Sequence, residues 1–155
     1  VEDKVIEDAI KNINLTDMRF QIIEKGKTVY INDAYNASPS SVGKSLETFS
    51  KIYNEDSVKK IIVLGDMLEL GENELKYHAD IYYVLKNVKF DKLYLFGKRM
   101  KSLFEKIENE KLNNKEIIYF NKKSEIKEKI NEIKENKVVL LKASRGIKLE
   151  EIIEE

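Results

Sequence analysis

Residues 60–64 read KIIVL, with Gly65 and Asp66 directly behind them. A short apolar run without period-2 alternation belongs to a strand covered on both faces, as in a parallel sheet. Working outward, the same pattern returns at KLYLF (92–96), EIIYF (116–120) and KVVLL (137–141). Helical spacing fills the gaps. Asn73–Asn87 carries Leu75, Ala79, Tyr82 and Leu85 on one face. Lys98–Asn109 carries Met100, Leu103, Phe104 and Ile107, and Lys123–Asn136 carries Ile126, Ile130 and Ile133. Upstream, Pro39–Tyr53 carries Val42, Leu46, Phe49 and Tyr53. Ser38 suits its N-cap, and Pro39 sits in the first turn, where a missing N–H costs nothing.

Strands that alternate with helices specify βαβ units, parallel pairing and right-handed crossovers. The predicted fold is α/β: a Rossmann-like, doubly wound, mostly parallel sheet of about six strands. Met18–Glu24 and Thr28–Ile31 are rich in β-formers and flank Lys25-Gly26-Lys27. They predict a hairpin that supplies one antiparallel edge strand. Val5, Ile6, Ala9, Ile10 and Ile13 predict a helix over Glu2–Ile13, and a short helix over Leu149–Glu154 closes the chain. No repeat or Gly/Ser linker divides the sequence, so residues 1–155 read as a single domain.

Composition narrows the function. Lys plus Arg and Asp plus Glu both number 28, so the formal net charge is zero. A dedicated nucleic-acid binder shows a basic excess, and a polybasic membrane anchor needs one too. The chain has no cysteine and one histidine, which excludes disulfides, thiolate metal sites and multi-His zinc sites. No apolar run approaches the ~20 residues of a membrane span, and no signal peptide is visible. The expectation is a cytoplasmic protein with no nucleic-acid or membrane partner and no metal ligands of its own. A first residue of Val rather than Met suggests a piece of something longer.

Ligands on doubly wound sheets bind beyond the C-terminal ends of the strands. The loop after Ile31 reads NDAYNASP (32–39) and runs into a helix N-terminus. There Asp33 is placed to accept hydrogen bonds from vicinal hydroxyls, and Asn36 offers both donor and acceptor. The helix end favours an anion. The same residues also make a capped turn. The loop after Leu64 reads GDMLELG (65–71). It sets Asp66 beside apolar residues that either hold an amino-bearing ligand or pack down as a lid. The loop after Leu141 reads KASRG (142–146) and holds Arg145, one of three arginines against 25 lysines. A guanidinium at a strand end suits a carboxylate or phosphate, and is otherwise simply exposed. Gly97 is read as permitting a turn, without chemistry. No GxxxxGK[ST] P-loop, GxGxxG turn or nucleophile elbow is present, so no catalytic residue is assigned.

Three segments, INDAYNASPSSVGKSLETF, VLGDMLELG followed by a histidine-bearing helix, and LLKASRGIKLEEI, together resemble the C-terminal domain of the Mur ligases. The resemblance is closest to the members that add D-Ala-D-Ala to UDP-N-acetylmuramoyl-tripeptide in peptidoglycan synthesis. It implies an ATP-dependent amide ligase with an N-terminal domain for the UDP-sugar peptide and a central domain holding the P-loop and Mg2+. ATP would phosphorylate the peptide carboxylate, and the dipeptide amine would attack the acyl phosphate. This chain would be the closing domain, inactive alone and holding no cofactor tightly, with residues 1–17 as a helical lead-in from the missing central domain.

Carried over by the resemblance, Asp33 matches the strand-end aspartate that contacts the nucleotide ribose, and Tyr35 and Asn36 lie in the nucleotide and closure region. Asp66, Ser144 and Arg145 lie toward the dipeptide. His78 matches a recurring histidine without a defined role. Ser38 stands where the family pattern YNANP has Asn, which leaves it a capping role. Two other readings fit the residues: a stand-alone, non-catalytic Rossmann-like module that binds a nucleotide or partner, and the closing domain of another amide ligase.

Overall fold

The computed structural model describes residues 20–52, 57–112 and 115–154. The predicted helix at Glu2–Ile13, the lead-in 1–17, Met18 and Arg19 at the head of the hairpin, and Tyr53 lie outside the described residues.

The elements follow in the order β1 (Gln21–Lys25), β2 (Thr28–Asp33), α1 (Pro39–Ile52), β3 (Lys59–Gly65), α2 (Glu74–Leu85), β4 (Lys92–Phe96), α3 (Met100–Glu110), β5 (Glu116–Phe120), α4 (Lys123–Asn131) and β6 (Lys137–Lys142). Short 3-10 turns follow at Arg145–Ile147 and Leu149–Ile152, where a helix over Leu149–Glu154 was expected. The six strands form one sheet in the order β1-β2-β6-β3-β4-β5. Only β1 runs antiparallel, paired with β2 through the Gly26 turn, and all other pairs are parallel. The Rossmann-like reading therefore holds, edge strand included.

The two faces of the sheet divide the core by strand alternation. Val29, Ile31, Ile62, Leu64, Leu93, Leu95, Val138 and Leu140 point to one face, where α1, α2 and α3 bury Leu46, Phe49, Leu85 and Leu103. Ile61, Val63, Tyr94, Val139 and Leu141 point to the other, against Ile126 and Ile130 of α4 and Leu149 and Ile152 of the final turn. Each large apolar side chain so covered contributes roughly 1.5–3 kcal/mol. β3 and β6 are buried over nearly their whole length, as uninterrupted apolar runs require.

Helix α2 spans Glu74–Leu85 where the spacing predicts Asn73–Asn87, α3 runs one residue further to Glu110, and two helix ends differ for a clear physical reason. α3 starts at Met100, not Lys98, because a carboxylate from another loop caps it there. α4 stops at Asn131, not Asn136, because the chain must reverse before Lys137 pairs with both Thr28 and Lys59.

Lys60 departs from apolar chemistry on β3's helix-rich side. Its Nζ donates to the carbonyls of Phe49 and Ser50 at 3.2 and 3.4 Å, near the last turn of α1. Burial, reinforced by nearby Lys89, lowers its pKa from 10.5 to about 8. The native state thus releases this proton at lower pH than the unfolded chain. Stability is therefore expected to rise as pH climbs from about 8 toward 10. Urea unfolding midpoints at pH 7.5 and 9.5 check this: the rise should shrink in Lys60→Met, and an equal rise in that variant would assign it to other groups.

Candidate functional site

After β2 the chain turns to α1 on one face of the sheet, and after β6 it turns to the closing 3-10 segment on the other. Because β2 and β6 are neighbours, their C-terminal ends border the crevice of a topological switch point. Asp33 and Lys142 are register partners at that edge. Lys142 Nζ lies 2.9 Å from Asp33 Oδ2, and both side chains are 5% exposed. Ser45 Oγ, reaching in from α1, donates to the same oxygen at 2.5 Å.

The rest of the loop 32–39 is built from local hydrogen bonds. Asn32 Oδ1 accepts the Ala34 N–H at 3.2 Å, and Asn36 Oδ1 accepts that of Ala37 at 2.9 Å. Ser38 is the N-cap: its Oγ accepts the Ser41 N–H at 3.2 Å, while Ser41 Oγ accepts the Ser38 N–H at 2.9 Å. This is a capping box with serine in place of Glu at the third position.

The GDMLELG loop is tied from three sides. Asp66 is buried, and its Oδ1 accepts the backbone N–H groups of Arg99 (3.1 Å) and Met100 (2.9 Å). A carboxylate here complements the partial positive charge of the α3 N-terminus. The Arg99 guanidinium bridges Glu74 at 2.7 Å and Asp66 at 3.3 Å, and hydrogen bonding to Glu74 first, then Asp66, raises its pKa. His78, fully buried on α2, accepts the Met67 N–H at Nε2 (2.9 Å) and pairs Nδ1 with the Glu74 carbonyl (2.6 Å). Those partners require the tautomer protonated at Nδ1. Ser144 Oγ accepts the Leu68 N–H at 2.8 Å, and its own N–H donates to the Asp66 carbonyl at 3.0 Å. The loops after β3 and β6 are thereby one hydrogen-bonded unit. Gly97 has a further part in it: φ is +116°, and a Cβ would fall 2.2 Å from Asp66 Oδ1.

Arg145 is exposed, with its guanidinium 5.0 Å from the centroid of the half-exposed Tyr35 ring. The two line a cavity of about 310 Å³ with Gln21, Asn32, Ala34 and Glu150. Glu150 Oε2 is buried without a hydrogen-bond partner. Lys142, Ser45, Arg99 and Glu150 are site residues that the sequence reading missed. No local signal marked Lys142, because its pairing with Asp33 depends on the order of the strands in the sheet.

The structure thus gathers Asp33, Tyr35 and Arg145 at the β2–β6 crevice and its rim. It joins Asp66, His78 and Ser144 in the neighbouring loop unit. Asn36 and Ser38 shape the turn into α1. Among the described residues no group of three or more His, Cys, Asp or Glu side chains is placed to hold a metal ion, and no helix is long and apolar enough to cross a membrane.

Comparison with known proteins places this architecture. The family model for "Mur ligase, glutamate ligase domain" matches residues 18–145. The UDP-N-acetylmuramoyl-tripeptide–D-alanyl-D-alanine ligase of Bacillus subtilis is 37% identical over 96% of this chain and 33% of its own length. The enzyme of the same name from Rickettsia prowazekii is 31% identical over 94% of this chain and 31% of its own. The chain therefore spans about a third of the length of these relatives. Among solved structures, MurF ligase from Thermotoga maritima in complex with ADP superposes with a TM-score of 0.69 at 28% identity, covering 88% of this chain and 29% of that one. With the sheet order, the switch-point crevice and a family match over most of its length, the chain belongs to the Mur ligase family.

Proposed function

We propose that this chain is the C-terminal domain of an ATP-dependent ligase that joins D-Ala-D-Ala to UDP-N-acetylmuramoyl-tripeptide, closing over the nucleotide and positioning the dipeptide. The observation that carries the reading is the likeness to the UDP-N-acetylmuramoyl-tripeptide–D-alanyl-D-alanine ligase of B. subtilis across 96% of the chain. The site supports it by offering hydrogen-bonding and charged groups at the C-terminal ends of β2, β3 and β6. The N-terminal and central domains are the partners, the cytoplasm is the location, and Mg2+, like the P-loop, belongs outside this chain. When bound, that ion would neutralise phosphate charge.

In this reading Asp33 Oδ1, the oxygen not engaged by Lys142 and Ser45, takes a ribose hydroxyl, and Tyr35 and Asn36 border the nucleotide. Arg145 and Glu150 share one cavity and offer a cation and an anion, the complement of a zwitterionic dipeptide. Asp66, Ser144 and His78 serve the dipeptide by holding the loop that faces it, and Ser38 holds the turn into α1. Closure keeps water from an acyl phosphate that would otherwise hydrolyse. It also brings amine and activated carboxyl together, the source of large effective molarities.

A phosphate-release assay on the full-length protein tests this. D-Ala-D-Ala is expected to drive ATP turnover where D-glutamate and L-alanine do not, and the isolated chain is expected to show none. Arg145→Ala should raise the dipeptide KM about tenfold, the equivalent of one charge-assisted hydrogen bond. Preference for glutamate, ligation by the isolated chain, or an unaltered dipeptide KM would each overturn the corresponding part.

A further inference from the structure

We propose that Lys142 is a positioning residue of the nucleotide site, holding Asp33 so that one carboxylate oxygen is presented to the ribose; this rests on the reading of Asp33 given above. Asp33 and Lys142 are equally enclosed, each side chain 5% exposed, so it is their contacts that separate the two roles, and Lys142 is the one whose charged end is turned to its partner. Its ammonium is spent on Asp33 Oδ2 at 2.9 Å, the oxygen that Ser45 Oγ also engages. Two donors from two different elements, β6 and α1, fix one oxygen and so set the rotation of the carboxylate. Oδ1 carries neither contact.

The arrangement answers two physical demands. A freely rotating carboxylate would lose orientational entropy on binding, and a fixed one has already lost it on folding. An uncompensated carboxylate would also repel the polyphosphate of the same nucleotide, and the buried ammonium cancels that charge without competing for the hydroxyl. β6 brings Lys142 to this place because it is inserted between β2 and β3, in register with Asp33.

The test uses the full-length ligase, with ATP and 3′-deoxy-ATP as paired nucleotides and Asp33→Asn, Lys142→Met, Lys142→Arg and Ser45→Ala as variants. Lys142→Met is expected to raise the ATP KM about tenfold while kcat falls much less. It should also shrink the preference for ATP over the deoxy analogue toward that of Asp33→Asn. Lys142→Arg should restore most of that preference, and Ser45→Ala should lose part of it. A purely structural ion pair would raise both nucleotide KM values equally, or move only the melting temperature, and either result overturns the proposal. If Asp33→Asn lowers the preference and neither Lys142→Met nor Ser45→Ala does, the proposal fails alone. If Asp33→Asn leaves the preference intact, the ribose reading of Asp33 fails and the proposal falls with it. Ser45→Ala keeps the test decisive should Lys142→Met not fold.

Discussion

Asp33→Ala is expected to lower the unfolding free energy by about 3–5 kcal/mol, because it strands a buried ammonium. Lys142 Nζ has Asp33 Oδ2 as its ion-pair partner, and both side chains are 5% exposed. The intact pair adds little net stability, since desolvation offsets most of the Coulombic attraction, but half a pair is costly. A double variant, Asp33→Ala with Lys142→Met, should therefore recover a large part of the loss. The readout is a double-mutant cycle of urea unfolding midpoints on this chain. Additive single effects, or a loss below about 1 kcal/mol for Asp33→Ala, would mean that Lys142 finds another partner. The cycle also bears on the nucleotide assays: Asp33→Asn keeps the shape of the side chain and is the variant in which binding is read with least interference from folding.

The second large effect is expected at Gly97→Ala, about 3–5 kcal/mol of lost stability from two sources. Its φ of +116° lies where L side chains are strained. The new Cβ would also meet the Asp66 carboxylate at 2.2 to 2.7 Å. Asp66 would have to withdraw, leaving the N–H groups of Arg99 and Met100 at the head of α3 unsatisfied. Gly43→Ala is the control: it lies within α1, an added methyl there would have nothing within 4 Å, and it should stabilise slightly. Thermal melts of the three proteins decide the matter, and equal melting temperatures for Gly97→Ala and wild type would refute the packing argument. Under the proposed function, the loss should reach the ligase reaction of the full-length protein as well, since the same carboxylate holds the GDMLELG loop beside Ser144.

How far the site was legible depends on how far each residue's neighbours are in sequence. Ser38 announces its capping role within four residues, as the bond to Ser41 shows. Asp33 stands at a strand end and was legible as a site candidate. Its partners were not, because Lys142 is one lysine of 25 and Ser45 looks like any helix serine. Asp66 reads as a loop carboxylate within reach of an amino-bearing ligand, yet it caps a helix that begins 34 positions later. Gly97 reads as a mere turn for the same reason. The residue that forbids its side chain belongs to another loop.

By itself the sequence determined the strands, the crossover helices, the edge hairpin and the three loops that carry the family likeness. All of these rest on short-range physics: burial periodicity, helix caps and glycine turns act over a few residues. Only the tertiary structure decided that β6 lies between β2 and β3. That one insertion sets Lys142 against Asp33 and Ser144 against Leu68. Strand order is settled by how helices from distant segments cover the two faces of the sheet, a long-range packing choice that no local pattern encodes.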